Sequence, residues 1–336
     1  MIKIGFVTTP LHDANAVRGV GFYTRRLLPE LKKQAKNFGV EILEVDSLGR
    51  LDQLGQLEII HYPYFDLFKH TLPIIKNAKT IVTIHDVMPL EFPDHFPPGI
   101  RGWFNLQLQK LALANVDRVI TVSYHCVKTI YKYLGIPHAK LKLIYEAADP
   151  IFKHVSKPKN KYHLPKKFVL YVGDINYNKN IPNLITAARL AKLPLVMVGR
   201  QAKELEKMDL SHPELKHLQG MSLQNVRRLG FVADAELVDI YNLATVYCQP
   251  SLADGFGLPV VEALACATPV ACSRTSSLPE VAGDAATYFD PTDIKDMARA
   301  IKNAKSNHGP TQATKFSWAK AAAETLQVYQ EALNKY

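Results

Sequence analysis

Two acidic residues flank a short loop that contains two glycines in the second half of the chain. Asp254 stands directly before the loop Gly255-Phe256-Gly257-Leu258, and Glu262 lies four residues after it. An apolar run at residues 245–248 predicts a buried strand before the loop, and Pro259 favours a helix start after it. A strand, a glycine loop and a helix N-terminus present backbone N–H groups and a partial positive charge to an anion. This order predicts a ligand that combines phosphates with hydroxyl groups, as a nucleoside diphosphate sugar does.

Three conformational expectations follow for this stretch. Gly255 and Gly257 should take positive φ, which would let the backbone approach a ligand closely. Glu262 should lie in the first turn of the helix, where its carboxylate can accept hydrogen bonds from two vicinal hydroxyls. Ala267 follows the predicted helix, and a left-handed conformation there would cost about 1–2 kcal/mol.

A lysine at the start of another predicted helix offers a positive charge to a phosphate. Residues 168–172 predict a strand that ends at Gly173, and the following loop leads through Lys179 into a helix over residues 181–191. A cation at a helix N-terminus is unfavourable unless an anion neutralises it. Lys179 is therefore a candidate phosphate ligand, and a solvated lysine is the alternative.

The first half of the chain has two further candidate positions. Gly19 and Gly21 lie between a strand predicted over residues 2–8 and a helix, in either a phosphate-facing loop or an ordinary turn. His85 directly follows the strand predicted over residues 80–84. Ligands of parallel sheets bind at the carboxyl ends of strands. His85 therefore either faces a ligand or is held by a structural hydrogen bond.

Predicted strands and helices alternate along the whole chain, which is typical of parallel, doubly wound α/β sheets. Residues 154–167 are rich in Lys and Pro without apolar periodicity, and we interpret them as a linker. The linker separates a first domain over residues 1–153 from a second over 168–315, and a last helix occupies 316–336. Other strands are predicted over residues 40–45, 57–61, 118–122 and 195–198, and other helices over residues 104–114, 127–133 and 237–244.

The amino-acid composition argues against several classes of protein. The 336 residues are 47% apolar, which supports sizeable cores, and no apolar run approaches the roughly 20 residues of a membrane span. The four cysteines lack metal-ligand spacing, so we expect neither zinc nor disulfides and a cytoplasmic location. The net charge of +10 is spread over both halves without basic–aromatic interleaving, which argues against nucleic-acid binding.

The helix predicted after Gly21 has a basic face. Pro29 should kink this helix or begin a new helical segment. The basic face is either solvated or in peripheral contact with anionic lipid at the inner face of the membrane. It is formed by Arg25, Arg26, Lys32, Lys33 and Lys36.

Residues 254–269, continued by residues 277–286, resemble the signature of the family-4 retaining glycosyltransferases. The chain keeps the Gly-Phe-Gly-Leu-Pro core and Glu262, but it has Asp254 where the family usually has Glu and Ala267 where it usually has Gly. The resemblance implies the GT-B architecture, in which two Rossmann-like domains face a central cleft. The first domain would bind the acceptor and the second the nucleotide sugar, and the C-terminal helix would cross back to the first domain.

The resemblance also implies roles for the candidate residues. Lys179 would grip the donor diphosphate, Asp254 would hold sugar hydroxyls and His85 would face the donor sugar, so these three are the expected catalytic residues. Asp174 stands where many members have Arg, so a second cation is either missing or supplied from elsewhere. The expected donor-binding residues are Gly19, Gly21, Gly173, Val232 at the nucleobase, Gly255, Phe256, Gly257, Leu258 and Glu262 at the ribose.

The implied reaction is a retaining, metal-independent transfer of a hexose, with mannose or glucose favoured, as in polysaccharide biosynthesis. The donor would be GDP-mannose or a UDP-hexose, and the acceptor a hydroxyl of a glycan, a lipid-linked glycan or a small molecule. No Asp-x-Asp metal motif occurs, and neither a metal nor another cofactor is expected. A phosphorylase or epimerase on the same fold and a non-catalytic sugar-nucleotide-binding protein are the alternatives. Nucleobase, acceptor and oligomeric state stay open.

Overall fold

The computed structural model describes residues 1–12, 16, 19–46 and 56–334. Its residues group by contact into two compact units. The first contains Met1–Glu91, Pro98–Glu146 and Phe316–Tyr336, and the second contains Phe92–Pro97 and Ala147–Lys315. Each unit is built on a six-stranded parallel sheet. No described helix is both long and apolar enough to cross a membrane.

The first sheet has the strand order β2-β1-β3-β4-β5-β6. Its strands are short and largely buried, as expected of parallel strands covered by helices on both faces. The strands are β1 (Ile2–Val7), β2 (Val40–Val45), β3 (Ile59–Tyr62), β4 (Lys79–Thr83), β5 (Arg118–Thr121) and β6 (Leu141–Leu143). The helices between them are α1 (Gly19–Ala35), α2 (Met88–Glu91), α3 (Gly99–Ala114) and α4 (Tyr124–Leu134).

The second sheet has the order β12-β11-β10-β7-β8-β9. Its strands are β7 (Val169–Val172), β8 (Leu195–Val198), β9 (Val226–Leu229), β10 (Val246–Gln249), β11 (Val270–Ser273) and β12 (Ala286–Phe289). Its helices are α5 (Ile181–Leu190), α6 (Arg200–Glu204), α7 (Asp234–Leu243), α8 (Leu258–Ala265), α9 (Leu278–Ala282), α10 (Ile294–Asn303) and α11 (Gly309–Ala313). The chain runs outward from β7 to β9 in one direction and from β10 to β12 in the other, so β7 and β10 form the topological switch point where such sheets bind ligands.

The last helix, α12 (Trp318–Leu333), packs on the first unit. Its N-cap Ser317 accepts a hydrogen bond from the Lys320 N–H, which stops the chain from fraying at that end. The Trp318 ring meets Tyr23 of α1 edge-on at a centroid distance of 5.8 Å. Tyr329 Oη lies 2.7 Å from Nδ1 of the buried His61 at the middle of the sheet. The predicted pair of Rossmann-like sheets and the return of the last helix to α1 are therefore confirmed.

Two expectations for α1 change in the structure. Pro29 lies inside a continuous helix and does not begin a new segment. Gly19 and Gly21 belong to the first turns of that helix, and the loop positions 13–15, 17 and 18 before them lie outside the described residues.

The segment interpreted as a linker, residues 154–167, is hydrogen-bonded to α7 in the second unit. The Val155 N–H donates to Asn242 Oδ1 at 2.8 Å, and the Lys159 N–H donates to Asp239 Oδ1 at 3.1 Å. Since these acceptors lie one turn apart on α7, the segment follows the surface of that helix.

The residue that follows the C-cap of helix α8 is left-handed although it is not glycine. Ala267 has a φ of 59°, as the comparison of this position with the family's glycine suggested. The Thr268 N–H donates to the Ala263 carbonyl at 2.9 Å and the Ala267 N–H to the Leu264 carbonyl at 3.0 Å. This pair of hydrogen bonds is the Schellman pattern, which favours glycine at the left-handed position.

We expect Ala267→Gly to stabilise the protein by roughly 0.5–1 kcal/mol. Relief of the left-handed strain, about 1–2 kcal/mol, exceeds the added entropy of the unfolded glycine chain, about 0.5–1 kcal/mol. Urea unfolding would measure the change, with Ala265→Gly at the last residue of the same helix as the control, where glycine relieves no strain and a loss of up to about 1 kcal/mol is expected. Equal destabilisation by both glycines would contradict the argument.

Candidate active site

The loops that follow β7 and β10 are joined to each other at the switch point of the second sheet. The Leu252 N–H donates to the Asn178 carbonyl at 2.7 Å, and Asn178 Nδ2 donates to the Ala253 carbonyl at 3.0 Å. Asn180 Nδ2 donates to the Pro250 carbonyl at 3.1 Å. Both asparagines are buried, so these bonds replace hydration and fix the two loops against each other.

Lys179 and Asp254 meet at this junction. The Lys179 ammonium donates to Asp254 Oδ1, and their side chains are 22% and 6% exposed. The second carboxylate oxygen accepts a hydrogen bond from Gln249 Nε2 at 2.8 Å. Asp254 therefore has a charged donor on one oxygen and a neutral donor on the other, although its side chain is shorter than the family's usual Glu.

Serines of the β11–α9 connection hold the loop over residues 254–258. Ser276 Oγ accepts from the Asp254 N–H at 2.9 Å, and Ser277 Oγ lies 2.9 Å from the Asp254 carbonyl and 2.8 Å from the Phe256 carbonyl. Ser276 lies in a turn and helps to orient the candidate catalytic acid through the Asp254 N–H. A serine in a turn gives no sequence signal for such a contact.

The two glycines of this loop differ. Gly257 has a φ of 105° and precedes Leu258, the first residue of α8. A Cβ at Gly257 would lie 2.9 Å from Leu278 Cδ2, so both conformation and space require glycine there. Gly255 does not use the freedom that glycine allows, because its φ is not positive. Phe256 between them is 4% exposed and anchors the loop in the core.

Gly173 forms the first turn after β7. Its φ is 146°, and a Cβ there would approach Tyr171 Oη to 3.0 Å. The Tyr171 hydroxyl donates to the Asp174 carbonyl, which bends the chain toward the loop that carries Lys179. Gly173 is therefore needed for the backbone path, and Asp174 itself is exposed.

Glu262 lies in the second turn of α8, not in the first as predicted, because the helix begins at Leu258. Its side chain is buried, and its Oε2 accepts a hydrogen bond from Tyr241 Oη at 2.8 Å. Burial, with added contributions from the charges of Asp234 and Asp149, raises the pKa of Glu262 to about 7 against the opposing effect of the Tyr241 hydrogen bond. The carboxyl group is thus poised between its two protonation states near neutral pH.

A buried chain of polar side chains connects the two acids. Gln249, which donates to Asp254, accepts from the Tyr247 hydroxyl. The rings of Tyr247 and Tyr241 lie 5.7 Å apart, and Tyr241 donates to Glu262. The sequence analysis did not predict roles for Gln249, Tyr247 and Tyr241. These residues lie in a strand and a helix whose apolar patterns indicate burial, and such a pattern does not reveal the hydrogen bonds that a polar side chain makes inside the core.

Val232 lies between β9 and α7, outside both elements, and its side chain is 6% exposed. The charge of Asp234, two residues later, contributes to the raised pKa of Glu262.

His85 lies in the first unit, after β4, with both ring nitrogens engaged. Nδ1 is 2.9 Å from Glu146 Oε1, and Nε2 is 3.1 Å from the Pro63 carbonyl oxygen. A carboxylate and a carbonyl can only accept, so the ring donates from both nitrogens and is protonated. Burial alone would lower the pKa of His85, but Glu146 and the Pro63 carbonyl together raise it above its ordinary value.

The predicted site residues thus fall into two groups, one in each unit. Lys179, Asp254 and the loop to Leu258 come together at one strand edge of the second unit, and Glu262 joins them through the buried polar chain. His85, Gly19 and Gly21 belong to the first unit. Gly19 is exposed and a Cβ there would meet nothing within 4 Å, so the fold itself does not demand glycine at that position.

The described residues contain no group of three or more His, Cys, Asp or Glu side chains placed to hold a metal ion.

We expect stability to fall as the pH rises from about 4.5 to 7, because folded Glu262 keeps its proton in this window and the unfolded residue does not. Glu262→Gln removes this titration and preserves an acceptor for Tyr241. The variant should be more stable than wild type at pH 8, by up to about 3 kcal/mol, and similar at pH 4.5. Urea unfolding at both pH values tests this.

Glu236→Gln on α7 is the control for this experiment. Hydrogen bonds from Lys161 and Tyr162 lower the pKa of Glu236, so its loss should weaken the protein at neutral pH. An unfolding profile of Glu262→Gln that runs parallel to wild type would contradict the buried, proton-binding state of Glu262.

We expect Glu146→Gln to lower the pKa of His85 below its ordinary value of about 6.5, because burial then acts without the carboxylate. In wild type, the stabilisation from His85 should be complete below pH 6.5 and lost as the pH rises through the raised pKa. NMR titration of the ring protons, assigned with His85→Gln, measures both values. Glu44→Gln, which removes the partner of Lys32 in the same unit, should leave His85 unchanged. A His85 that titrates alike in Glu146→Gln and wild type would overturn the assignment.

Two family models match the chain. The model of glycosyl transferases group 1 matches residues 153–323, just over half of the sequence, and the model of Glycosyltransferase Family 4 matches residues 23–151. The first match contains Lys179, Asp254 and Glu262, and the second contains His85.

Among characterised proteins, the chain is similar to bacterial mannosyltransferases. It is 29% identical over 269 residues to the serotype-specific mannosyltransferase WbdA of Escherichia coli, which covers 73% of this chain and 32% of WbdA. It is 28% identical over 292 residues to the O-antigen chain mannosyltransferase B of Escherichia coli, which covers 81% and 74% of the two chains. The chain therefore spans about a third of the length of WbdA.

Solved structures confirm the predicted GT-B fold. The sucrose-phosphate synthase of Thermosynechococcus elongatus superposes with a TM-score of 0.73 at 18% identity, over 99% of both chains. HepE of Anabaena, in complex with UDP-glucose, superposes with a TM-score of 0.70 at 16% identity, over 98% of this chain and 100% of HepE. The motif around Asp254 and Glu262, the pair of parallel sheets and the family matches agree, and the chain belongs to the group 1 glycosyltransferases.

Proposed function

We propose that the protein is a retaining glycosyltransferase that moves a hexose from a nucleoside diphosphate sugar to an acceptor hydroxyl. The observation that carries the proposal is the meeting of Lys179 and Asp254 at the β7–β10 switch point, beside the N-terminus of α8. A cation, a carboxylate and a helix N-terminus at the carboxyl edge of a parallel sheet suit a ligand with both phosphates and hydroxyls.

Lys179 and Asp254 would exchange partners when the donor binds. A diphosphate carries more charge than one carboxylate and would take over the Lys179 ammonium, aided by the positive end of α8. Asp254 would then accept hydrogen bonds from sugar hydroxyls while Gln249 still holds its other oxygen. The short side chain of Asp254 would therefore act from a fixed position.

Glu262 and the Val232 turn would bind the nucleoside. An ionised carboxylate can accept from both ribose hydroxyls, and the pKa of about 7 means that donor binding would draw Glu262 into its charged form. The backbone at Val232 would contact the base. Gly173 and the loop from Gly255 to Leu258 would let the diphosphate approach the backbone.

The proposed sugar transfer would require no metal ion. The bond between the anomeric carbon and the donor phosphate oxygen breaks, and a bond from the acceptor oxygen to the same face of that carbon forms. The acceptor proton passes to the departing phosphate oxygen, so no separate base is required. Lys179 would stabilise the charge that develops on this leaving group. His85 would face the donor sugar after exchanging its Pro63 contact.

Mannose is the hexose that the relatives favour, with glucose as the second choice. Both the WbdA and the O-antigen chain relatives are mannosyltransferases, which supports GDP-mannose as the donor and a glycan of polysaccharide biosynthesis as the acceptor. All four cysteines are buried thiols, which supports a location in the reducing cytoplasm.

We expect Lys179→Ala to lower turnover at least a hundredfold, because loss of one preorganised donor costs about 3 kcal/mol of transition-state stabilisation. Glu262→Ala should weaken donor use comparably. Both effects are measured as the release of nucleoside diphosphate from GDP-mannose and from UDP-glucose. The assay contains mannosyl and glucosyl acceptors, and EDTA is present. NMR of the product reports retention.

The exposed Lys167→Ala, in the same unit, is the control and should keep full activity. Wild-type rates in Lys179→Ala and Glu262→Ala would refute the assignment. Sugar phosphate formed from free phosphate without nucleotide would indicate a phosphorylase. Donor binding without product in any acceptor would indicate a binding protein.

A further inference from the structure

Helix α3 buries one face and exposes large apolar side chains on the other. Its buried face is fixed to the segment before β4, where Asn105 Nδ2 donates to the Phe68 carbonyl at 2.8 Å. Its outer face carries Ile100, Trp103, Phe104, Leu108 and Leu111, which are 82, 51, 59, 39 and 60% exposed. At about 100° per residue these five side chains fall within an arc of roughly 140°. The arc is a continuous apolar stripe along a helix, whereas single exposed apolar residues are ordinary.

Cations border this stripe, and α3 has no acidic residue. Arg101 and Lys110 lie at its two edges by the same helical spacing. Helix α4 likewise has no acid and exposes Tyr124 and Tyr131 together with Lys128 and Lys132. The Lys128 ammonium lies 5.4 Å from the centre of the Tyr124 ring.

The topology puts the two helices side by side. They connect β4 to β5 and β5 to β6, which are adjacent parallel strands, and right-handed crossovers place both helices on one face of the sheet. Three acids outside these helices have partners of their own, and one of these partners is a cation. Asp66 accepts from the Phe68 N–H, Glu91 lies 3.2 Å from His125, and Asp117 lies 3.4 Å from Lys79.

We propose that the outer faces of α3 and α4, here called the α3–α4 face, bind the surface of an anionic lipid membrane. Tryptophan, phenylalanine and tyrosine enter the headgroup boundary of a bilayer, and lysine and arginine at the same depth attract anionic headgroups. A second copy of this chain fits less well, because its four cations would oppose the four cations of the first. The proposal concerns a surface of the first unit and holds whatever sugar donor the second unit uses.

The basic face of α1 lacks these features. Lys32 pairs with Glu44 and Lys33 with Glu30, and no described residue of α1 exposes a large apolar side chain. Of the two surfaces considered for lipid contact, the α3–α4 face is therefore the one that combines charge with apolar area.

Flotation with vesicles of phosphatidylcholine and 30 mol% phosphatidylglycerol tests the proposal on the full chain. Wild-type protein should float with these vesicles and not with pure phosphatidylcholine. The Trp103 emission should shift to the blue, while Trp318, 5% exposed, serves as an internal reference. Trp103→Ser/Phe104→Ser and Lys128→Glu/Lys132→Glu should each weaken binding tenfold or more.

Lys295→Glu/Lys302→Glu on α10 is the matched control, because it changes the net charge equally on the second unit. It should bind vesicles like wild type, and thermal unfolding should match wild type for all three variants. Equal loss in the α10 control would overturn the proposal in favour of non-specific attraction by net charge. Absence of vesicle binding would overturn it too, and a dimer in solution that Trp103→Ser/Phe104→Ser dissociates would show instead that a second copy covers the face. Sugar transfer to a water-soluble acceptor should stay normal in these variants, which separates this test from that of the catalytic assignment.

Discussion

The attraction between Lys179 and Asp254 is the interaction on which the second unit's site depends. Both groups are largely withdrawn from water, and neither would be tolerated there alone, because an unpaired buried charge costs several kcal/mol. Each therefore stabilises the other in the fold. A diphosphate would satisfy the lysine more fully than one carboxylate can, and the hydroxyls of a sugar would satisfy the aspartate. The pairing thus indicates the chemistry of a ligand that would replace it.

The buried polar chain explains how two acids can sit in one core without disrupting it. Asp254 is held by Gln249, and Gln249 in turn by the Tyr247 hydroxyl, so every polar atom along this path has a partner. Among the described residues, Glu262 accepts a hydrogen bond from Tyr241, and its pKa rises toward neutrality because this neutral hydrogen bond does not offset burial. The two carboxyl groups therefore differ in their donors: a charged ammonium and an amide for Asp254, and a neutral hydroxyl for Glu262.

Structural features that depend on neighbouring residues could be predicted from the sequence. The strand of residues 40–45 depends on neighbouring residues, and it appears as expected. The left-handed conformation of Ala267 agrees with the glycine that the family usually has at this position. The Lys179–Asp254 contact joins residues 75 positions apart, and no spacing rule could have paired them instead of sending each to a ligand. The turn of α8 on which Glu262 lies was misplaced because Gly257, not a side chain, sets the helix start.

The apolar periodicity of helix α3 does not determine which of its faces is buried. Its apolar residues lie on both faces, with Leu106, Ala112 and Leu113 inward and Trp103 and Phe104 outward. A sequence pattern can say that such a helix is apolar, but the sheet decides which face is covered. Gln109 lies on the buried face, where its amide donates to the Asp66 carbonyl and the Thr71 hydroxyl. These hydrogen bonds satisfy a polar side chain inside the core and favour the orientation in which the larger aromatic side chains lie outside.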